Sequence, residues 1–345
     1  MQTEKIDNTT VKKILIIKLR GIGDVVLSTV IFNSLSDNFP NAKIDFLTEK
    51  PGAEALSNIY LLNEIIIFNR KSNWQRFKLF FNIRKRNYDL IVDLFSNPAT
   101  AQITYFSKAK YRIGFPYSGR KYAYNIYGPE ERSIFHAAQL HLELLKDAGI
   151  KIADNKLHFT IDSGSKKIAN DWFAKLGHKL NVGIIPGGGW ASKRCDPVKF
   201  AEIADAIIEK YSTNIILIWG PSDEQEANEI EKLMKHQAYL APPTSIQEMA
   251  AFIKNCNAII ANDSGPMHIS TAIGTPTLAI HGPTNPKLQG PFGTKHEFVH
   301  KSNLHCIVCN LLECPYQHEC FIELPLKDVM NKFETLLDKN NIHLQ

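Results

Sequence analysis

The chain has 345 residues, 44% of them hydrophobic and 22% charged, enough for two globular domains with cores of their own. No apolar run approaches the roughly 20 residues of a membrane span, and the opening MQTEKIDNTTVK is polar with no signal-peptide core, which points away from integral membrane and exported proteins and toward a cytoplasmic one. The net charge of +5 divides into about +7 over residues 1–150 and about −2 over the remainder, so an anionic partner is expected to meet the front half.

In chain order, KILIIKL, KIDFLT, EIIIFN, YDLIVDLF and YRIGF are short apolar runs that predict strands, with helical patterns between them. This alternation belongs to a parallel α/β domain. The first strand runs into RGIGD, where Gly21 and Gly23 fill two positions of a dinucleotide fingerprint, but Val26 stands at the third and Asp24 lies inside the loop. A phosphate brought to this helix terminus would meet a carboxylate, so a nucleotide is expected elsewhere. Two roles for Asp24 stay open: a cap for the following helix, or a deprotonated general base facing the ligand cleft.

Residues 69–86, NRKSNWQRFKLFFNIRKR, carry seven basic residues and no acidic one, interleaved with Trp74, Phe77, Phe80 and Phe81. One reading is a solvated helix face with its aromatics in the core. The other is contact with an anionic lipid headgroup or membrane surface. Nucleic acid is not expected, since no helix-turn-helix, RNA-binding or finger signature accompanies the charge.

After the polar DSGSKK at 162–167 a second set of strands begins with NVGIIPGG, NIILIWG, NAIIAND and PTLAIHG, separated by helices such as VKFAEIADAIIEKY and SIQEMAAFIKN. The expected architecture is two Rossmann-like domains, 1–163 and 164–325, binding ligand between the carboxyl ends of their sheets. LKDVMNKFETLLDK, within 326–345, is expected to be a helix packing back on the first domain. In the second half, PGGGWASKR offers close backbone approach at Gly188 and Gly189 and a cation at Lys193, without the spacing of a Walker loop. NDSGPMH places Asp263, Ser264 and Gly265 at a strand end, with His268 in the first turn of a following helix, and HGPTNP adds the Thr284 hydroxyl. Three strand ends with polar groups at one rim suit a diphosphate leaving group.

Six cysteines without an export signal make a disulfide framework improbable. Cys306, Cys309, Cys314 and Cys320 fall within fifteen residues in CIVCNLLECPYQHEC, the composition of a structural zinc site. The second pair lacks C-x2-C spacing and His318 competes as a ligand, so unliganded thiols are the alternative. Cys195 and Cys256 look like ordinary residues of the second domain.

ILIIKLRGIGDVVLSTVIFNSLSDNFPNAKIDFLT, PGGGWASKR, IWGPSDEQE and NDSGPMHISTAIGTPTLAIHGPTNP, in this order, resemble glycosyltransferase family 9, the ADP-heptose:lipopolysaccharide heptosyltransferases, over nearly the full length. The resemblance implies a GT-B fold, an acceptor in the first domain, a nucleotide sugar in the second, and transfer with inversion at the anomeric carbon. It puts the family's base on Asp24, its phosphate-contacting lysine on Lys193 and its diphosphate-binding turn on Asp263, Ser264, Gly265 and His268. Its ribose or base contact falls on or next to Glu224. The expected donor set is completed by Gly188, Gly189, Thr244 and Thr284, and the expected acceptor set is Gly23, Arg84, Lys85, Arg86 and Arg120. With no D-x-D motif, no metal is expected in the chemistry, and the only cofactor considered is structural zinc. The implied partners are ADP-heptose, a lipid-linked anionic saccharide and the inner face of the cytoplasmic membrane. Transfer of another activated sugar is the nearest rival; a nicotinamide-dependent oxidoreductase would need the glycine missing at Val26, and a zinc-dependent binding module would leave both α/β domains without a role.

Overall fold

A computed structural model describes residues 6–69, 73–177 and 179–342. Residues 1–5 of the polar opening, 70–72 of the basic stretch and 343–345 of the terminal segment lie outside the described residues. The chain divides into two compact units, Met1–Thr160 and Ile161–Gln345, where a boundary at 163/164 was expected.

The first unit is built on β1 (Lys13–Ile17), β2 (Lys43–Thr48), β3 (Glu64–Ile67), β4 (Leu90–Asp93), β5 (Tyr111–Gly114) and β6 (Ile126–Tyr127). They form a parallel sheet in the order β3-β2-β1-β4-β5-β6. The second contains β7 (Asn181–Ile185), β8 (Asn214–Leu217), β9 (Tyr239–Leu240), β10 (Ala258–Asn262), β11 (Thr277–His281) and β12 (Glu297–His300), again parallel, in the order β12-β11-β10-β7-β8-β9. Each chain path starts mid-sheet, winds to one edge and then reverses. The reversal, between β1 and β4 and between β7 and β10, is where open α/β sheets leave a ligand crevice beyond their carboxyl ends. β6, β9 and β12 carry no apolar run long enough to announce them in the sequence.

Ile14, Leu15, Ile16 and Ile17 are all fully buried, because helices cover both faces of the sheet, and the strand therefore reads as a continuous apolar run. On one face the helices Asn73–Lys85 and Pro98–Ser107 place Leu79, Ile83 and Ile103 against Leu15, Ile17, Leu47 and Ile91. The second of these starts on a capping box between Asn97 and Thr100.

The terminal helix, Leu326–Lys339, corrects an expectation. Its Val329, Phe333, Leu336 and Leu337 are buried in the second unit's core with Phe200, Ile207 and Ile280, so the apolar stripe thought to return to the first domain is matched within its own unit. Among the described residues no helix is long and apolar enough to cross a membrane.

Candidate active site

In the first unit the chain leaves β1 and enters the helix Ile22–Ser28 through Gly21, whose φ of 78° is left-handed. A Cβ on Gly21 would lie 2.4 Å from Asp24 Oδ2, so only glycine allows the carboxylate to fold back over this turn. Gly21 holds the cap position, with Gly23 buried behind it, and Asp24 stands in the first helical turn, where the helix dipole favours negative charge. The Asp24 side chain is 50% exposed and Lys18, at 9%, brings Nζ to 3.6 Å from Oδ1, too far for a hydrogen bond. An oxygen is therefore left to accept a proton from a ligand. The Lys18 ammonium also lies 5.4 Å from the centre of the Phe95 ring. Sequence reasoning missed Lys18; its only signal was a charge between Ile17 and Leu19 in an apolar run whose neighbours are all buried.

Beside this turn, Asp93 closes β4. It is fully buried, which pushes its carboxyl up, and it accepts hydrogen bonds from the Ser96 amide at 2.8 Å and the Tyr124 hydroxyl at 2.8 Å. The loop after β4 is thereby fixed. A cavity of about 300 Å³ along the carboxyl ends of the first strands is lined by Arg20, Glu49, Phe68, Asn97 and Gln102, among others. A second opening, about 710 Å³, follows β5 and is lined by Tyr117, Arg120 and Lys121, with the Arg120 and Arg132 guanidinium groups 5.6 and 5.0 Å from the Tyr117 ring centre.

Three expected acceptor contacts are elsewhere. Arg86 forms a bidentate pair with Glu64, at 2.6 and 2.7 Å, and approaches Asp45 at 3.4 Å. Its carbonyl accepts from Lys13 Nζ. Glu64 and Lys13 are the first residues of β3 and β1, so Arg84, Lys85 and Arg86 end their helix at the amino edge of the sheet, opposite Asp24. Arg86 is a structural ion-pair residue, and Arg84 donates to the Phe106 carbonyl at 3.2 Å. Arg120 alone of the expected cations lies on the carboxyl side.

In the second unit, groups from three adjacent strand ends meet. Lys193 follows β7 and lies 2.7 Å from Asp263, which follows β10, and its ammonium is 4.4 Å from the centre of the Trp190 ring. The Thr284 hydroxyl, after β11, donates to Asp263 Oδ2 at 2.6 Å. That corrects the expectation that Thr284 offers its proton to a ligand: it is fully buried and orients Asp263. With its proton so committed, Thr284 can only accept from His281 Nδ1, 3.2 Å away, which assigns the Nδ1–H tautomer. Burial above all, against the pull of Asp263, brings His281 down to about 4, so it is neutral. Burial works against the charged form of Asp263, yet His281, Lys193 and His268 hold its carboxyl below the usual range. His281 is another residue the sequence did not single out.

Around this pair, Ser264 caps the helix Gly265–Ala272 through the Met267 amide, with Gly265 and His268 in its first turn. Arg194 clamps the glycine loop: Nε donates to the Gly188 carbonyl at 3.1 Å, while the guanidinium pairs with Asp223 at 3.0 Å and with Glu226. Gly189 has open space around its Cα. Glu224 starts the helix Glu224–Leu233 with its side chain exposed, whereas its neighbours Asp223 and Glu226 are held by Arg194. Thr244 keeps a buried hydroxyl with no hydrogen-bond partner, directly before the Ser245 cap.

All four clustered cysteines line one small cavity with Ser192, Tyr316 and Glu319. His318 lies beside it as the cap residue of the short helix Glu319–Ile322. Burial and the neighbouring thiols push Cys320 up to about 12, and among the described residues no group of His, Cys, Asp or Glu is arranged to hold a metal ion. Of the two readings of this cluster, the arrangement gives no support to structural zinc.

The model of glycosyltransferase family 9 (heptosyltransferase) matches residues 76–319. Lipopolysaccharide heptosyltransferase 2 of Salmonella typhimurium is 23% identical over 348 residues, covering 96% of this chain and all of the relative. Among solved structures, the family 9 glycosyl transferase of Veillonella parvula superposes with a TM-score of 0.81 at 21% identity, covering 95% of this chain and 97% of that one. The ADP-heptose lps heptosyltransferase II of E. coli superposes at 0.77 and 22%, covering 95% and 99%.

Proposed function

The chain belongs to glycosyltransferase family 9, the heptosyltransferases, and from that premise we propose that it moves a heptose from ADP-heptose to the inner core of lipopolysaccharide, inverting the anomeric carbon. The observation that carries the mechanism is one of opposite charges at equivalent points of the two units. An exposed carboxylate, Asp24, stands at the first switch point, and a nearly buried ammonium, Lys193, at the second.

A sugar hydroxyl is a weak nucleophile until its proton is being removed, and Asp24 accepts that proton as the oxygen attacks. The new bond from the acceptor oxygen to the anomeric carbon forms as the bond to the diphosphate oxygen breaks. ADP leaves as an anion, and Lys193, with the amides at the start of Gly265–Ala272, stabilises the charge it gains. Asp263, Thr284 and His281 hold Lys193 in place, Gly188 and Gly189 allow the diphosphate to approach the backbone, and Glu224 and Thr244 face the nucleoside. Lys18, Gly23 and Arg120 belong to the acceptor side. The acceptor is a lipid-borne anionic saccharide, so the enzyme works as a peripheral protein at the inner face of the cytoplasmic membrane.

The test is incubation of the purified chain with ADP-heptose and a core acceptor lacking its outer heptose, read by mass spectrometry. Gain of one heptose with release of ADP is expected. Release of ADP without a glycosylated product, or transfer from a uridine sugar but not from ADP-heptose, refutes the reading.

A further inference from the structure

The helices Asn73–Lys85 and Pro98–Ser107 present an outer face that the transfer reaction does not use. Trp74, Phe77 and Phe81 recur at spacings of three and four and so share one side of their helix. Trp74 and Phe77 stack with ring centres 6.3 Å apart, and Phe77 meets Phe81 edge-on at 4.7 Å. Across from them Phe106 lies 6.1 Å from Phe80 and 5.5 Å from Tyr105, which in turn reaches Tyr122 at 5.4 Å. Trp74, Phe77, Phe81, Tyr105, Phe106 and Tyr122 are each between 48 and 64% exposed. The same helices already fill the core with Leu79, Ile83 and Ile103, so folding does not account for the outer rings. A contiguous apolar patch of this kind marks an interaction site.

Between the helices runs a groove of about 540 Å³ with Phe77, Phe80, Phe81 and Phe106 in its walls and Arg84 and Lys108 at its margin. Gln102 lines both this groove and the cavity at the carboxyl ends of the strands. The aromatic face therefore meets, at one side chain, the edge of the sheet that carries Asp24. Its charge is predominantly of one sign: there is no acidic residue between Glu64 and Asp89, nor between Asp93 and Glu130. Lys78, with its ammonium 5.3 Å from the centre of the Trp74 ring, Lys85 and Lys108 lie along these segments, while Lys121, beside Tyr122, is paired with Glu130 at 3.2 Å.

A protein partner would be met by ion pairs of both signs. Half-exposed aromatic rings fringed by an excess of cations, with Glu130 the acidic residue at the Tyr122 end, complement a layer with an apolar interior and a negative surface. We infer that this face seats the enzyme on an anionic lipid bilayer, with Trp74, Phe77, Phe81 and Phe106 at headgroup depth and the lysines against lipid phosphates. The groove then leads from the lipid surface toward Asp24, a last step that rests on the proposed lipid-borne acceptor, whereas the seating itself does not.

The full chain is sedimented with phosphatidylcholine vesicles, with and without phosphatidylglycerol. Binding only to the anionic vesicles is expected, falling about tenfold or more in Phe77→Ser/Phe81→Ser and losing its salt dependence in Lys78→Gln/Lys108→Gln. In the unaltered chain, Trp74 fluorescence is quenched by brominated lipid, a signal that Trp74→Phe removes; this arm needs no destabilising change. Turnover of a delipidated, soluble core saccharide is expected to be the same in all variants. If the unaltered chain binds vesicles but does not glycosylate that saccharide, the proposed function fails and the seating stands. Absence of binding to anionic vesicles overturns the inference, as does equal binding after the aromatic change with Trp74 unquenched. A dimer in solution that the aromatic change makes monomeric also overturns it, because the face then belongs to a second copy.

Discussion

In the proposed reaction Asp24 and Lys193 do different work, and the difference is measurable. Asp24→Asn removes the proton acceptor while leaving the turn's shape, so kcat is expected to fall on the order of a thousandfold with the Kd for ADP unchanged, measured by single-turnover kinetics and calorimetry. Near-normal turnover would leave Asp24 only its place in the helix's first turn. His281 is a positioning residue that acts through Thr284 and Asp263. Its Nδ1–H is reproduced by the amide of Asn but not by Leu, so His281→Asn is expected to keep ADP affinity and His281→Leu to weaken it roughly fivefold to tenfold. Equal affinities in the two variants would show that the ring fills space and nothing more. His281 is also an acid-sensitive group. With its native value near 4 against an ordinary 6.5, the unfolded state binds more protons between those values. Stability is then fully present above about pH 6.5 and declines as pH falls toward 4, by up to ~3 kcal/mol. Melting of His281→Asn across this window should show a shallower decline. Asp263 was drawn from the sequence because it directly follows the apolar run of β10, and Asp24 and Lys193 because they stand in the glycine-bearing turns after β1 and β7. Lys18 and His281 were not singled out, because Lys18 directly follows β1 and His281 ends β11, where a lone polar residue gives no sign of the partner it meets across the turn.

Elements whose apolar pattern was long were read in place, and those defined by what they pack against were not. β1 and β10 are buried on both faces and appear as unbroken runs, whereas β6, with two residues, exists because β5 is there to pair with it. The helix Leu326–Lys339 shows the limit more sharply. Its stripe of Val329, Phe333, Leu336 and Leu337 was plain, but a stripe states that a surface is to be buried and not which surface receives it. The receiving surface is the second unit's own core, with Phe333 beside Tyr211 at 6.1 Å between ring centres. Phe333→Ala is accordingly expected to cost about 3–5 kcal/mol. By differential scanning calorimetry the loss should appear in the second unit's transition alone. A loss in the first unit's transition would return the helix to the role first expected of it. The basic run at 69–86 departs from the reading that put its aromatics in the core: Trp74, Phe77 and Phe81 are exposed and only Phe80 packs against the core, which Leu79 and Ile83 fill instead, a division that charge count alone could not give.

At the scale of the whole molecule, each unit has its own sheet, its own reversal of strand order and its own buried cluster. Residues 161–345 expressed alone are therefore expected to fold cooperatively and to bind ADP within about threefold of the full chain, a difference of under 1 kcal/mol, with no transfer activity. Loss of cooperative melting in this fragment would show that the first unit completes its core. The fold was legible at this scale because the same alternation of strand and helix runs through both halves, whereas Arg84, Lys85 and Arg86 stand at the opposite sheet edge from the one expected, because a run of charge carries no record of which end of a sheet it will occupy. The self-contained packing of the final helix reaches beyond stability. Since the described segments that build the second unit's core all lie beyond residue 160, a single genetic crossover near codon 161 would exchange the proposed acceptor half whole and leave the proposed donor half intact.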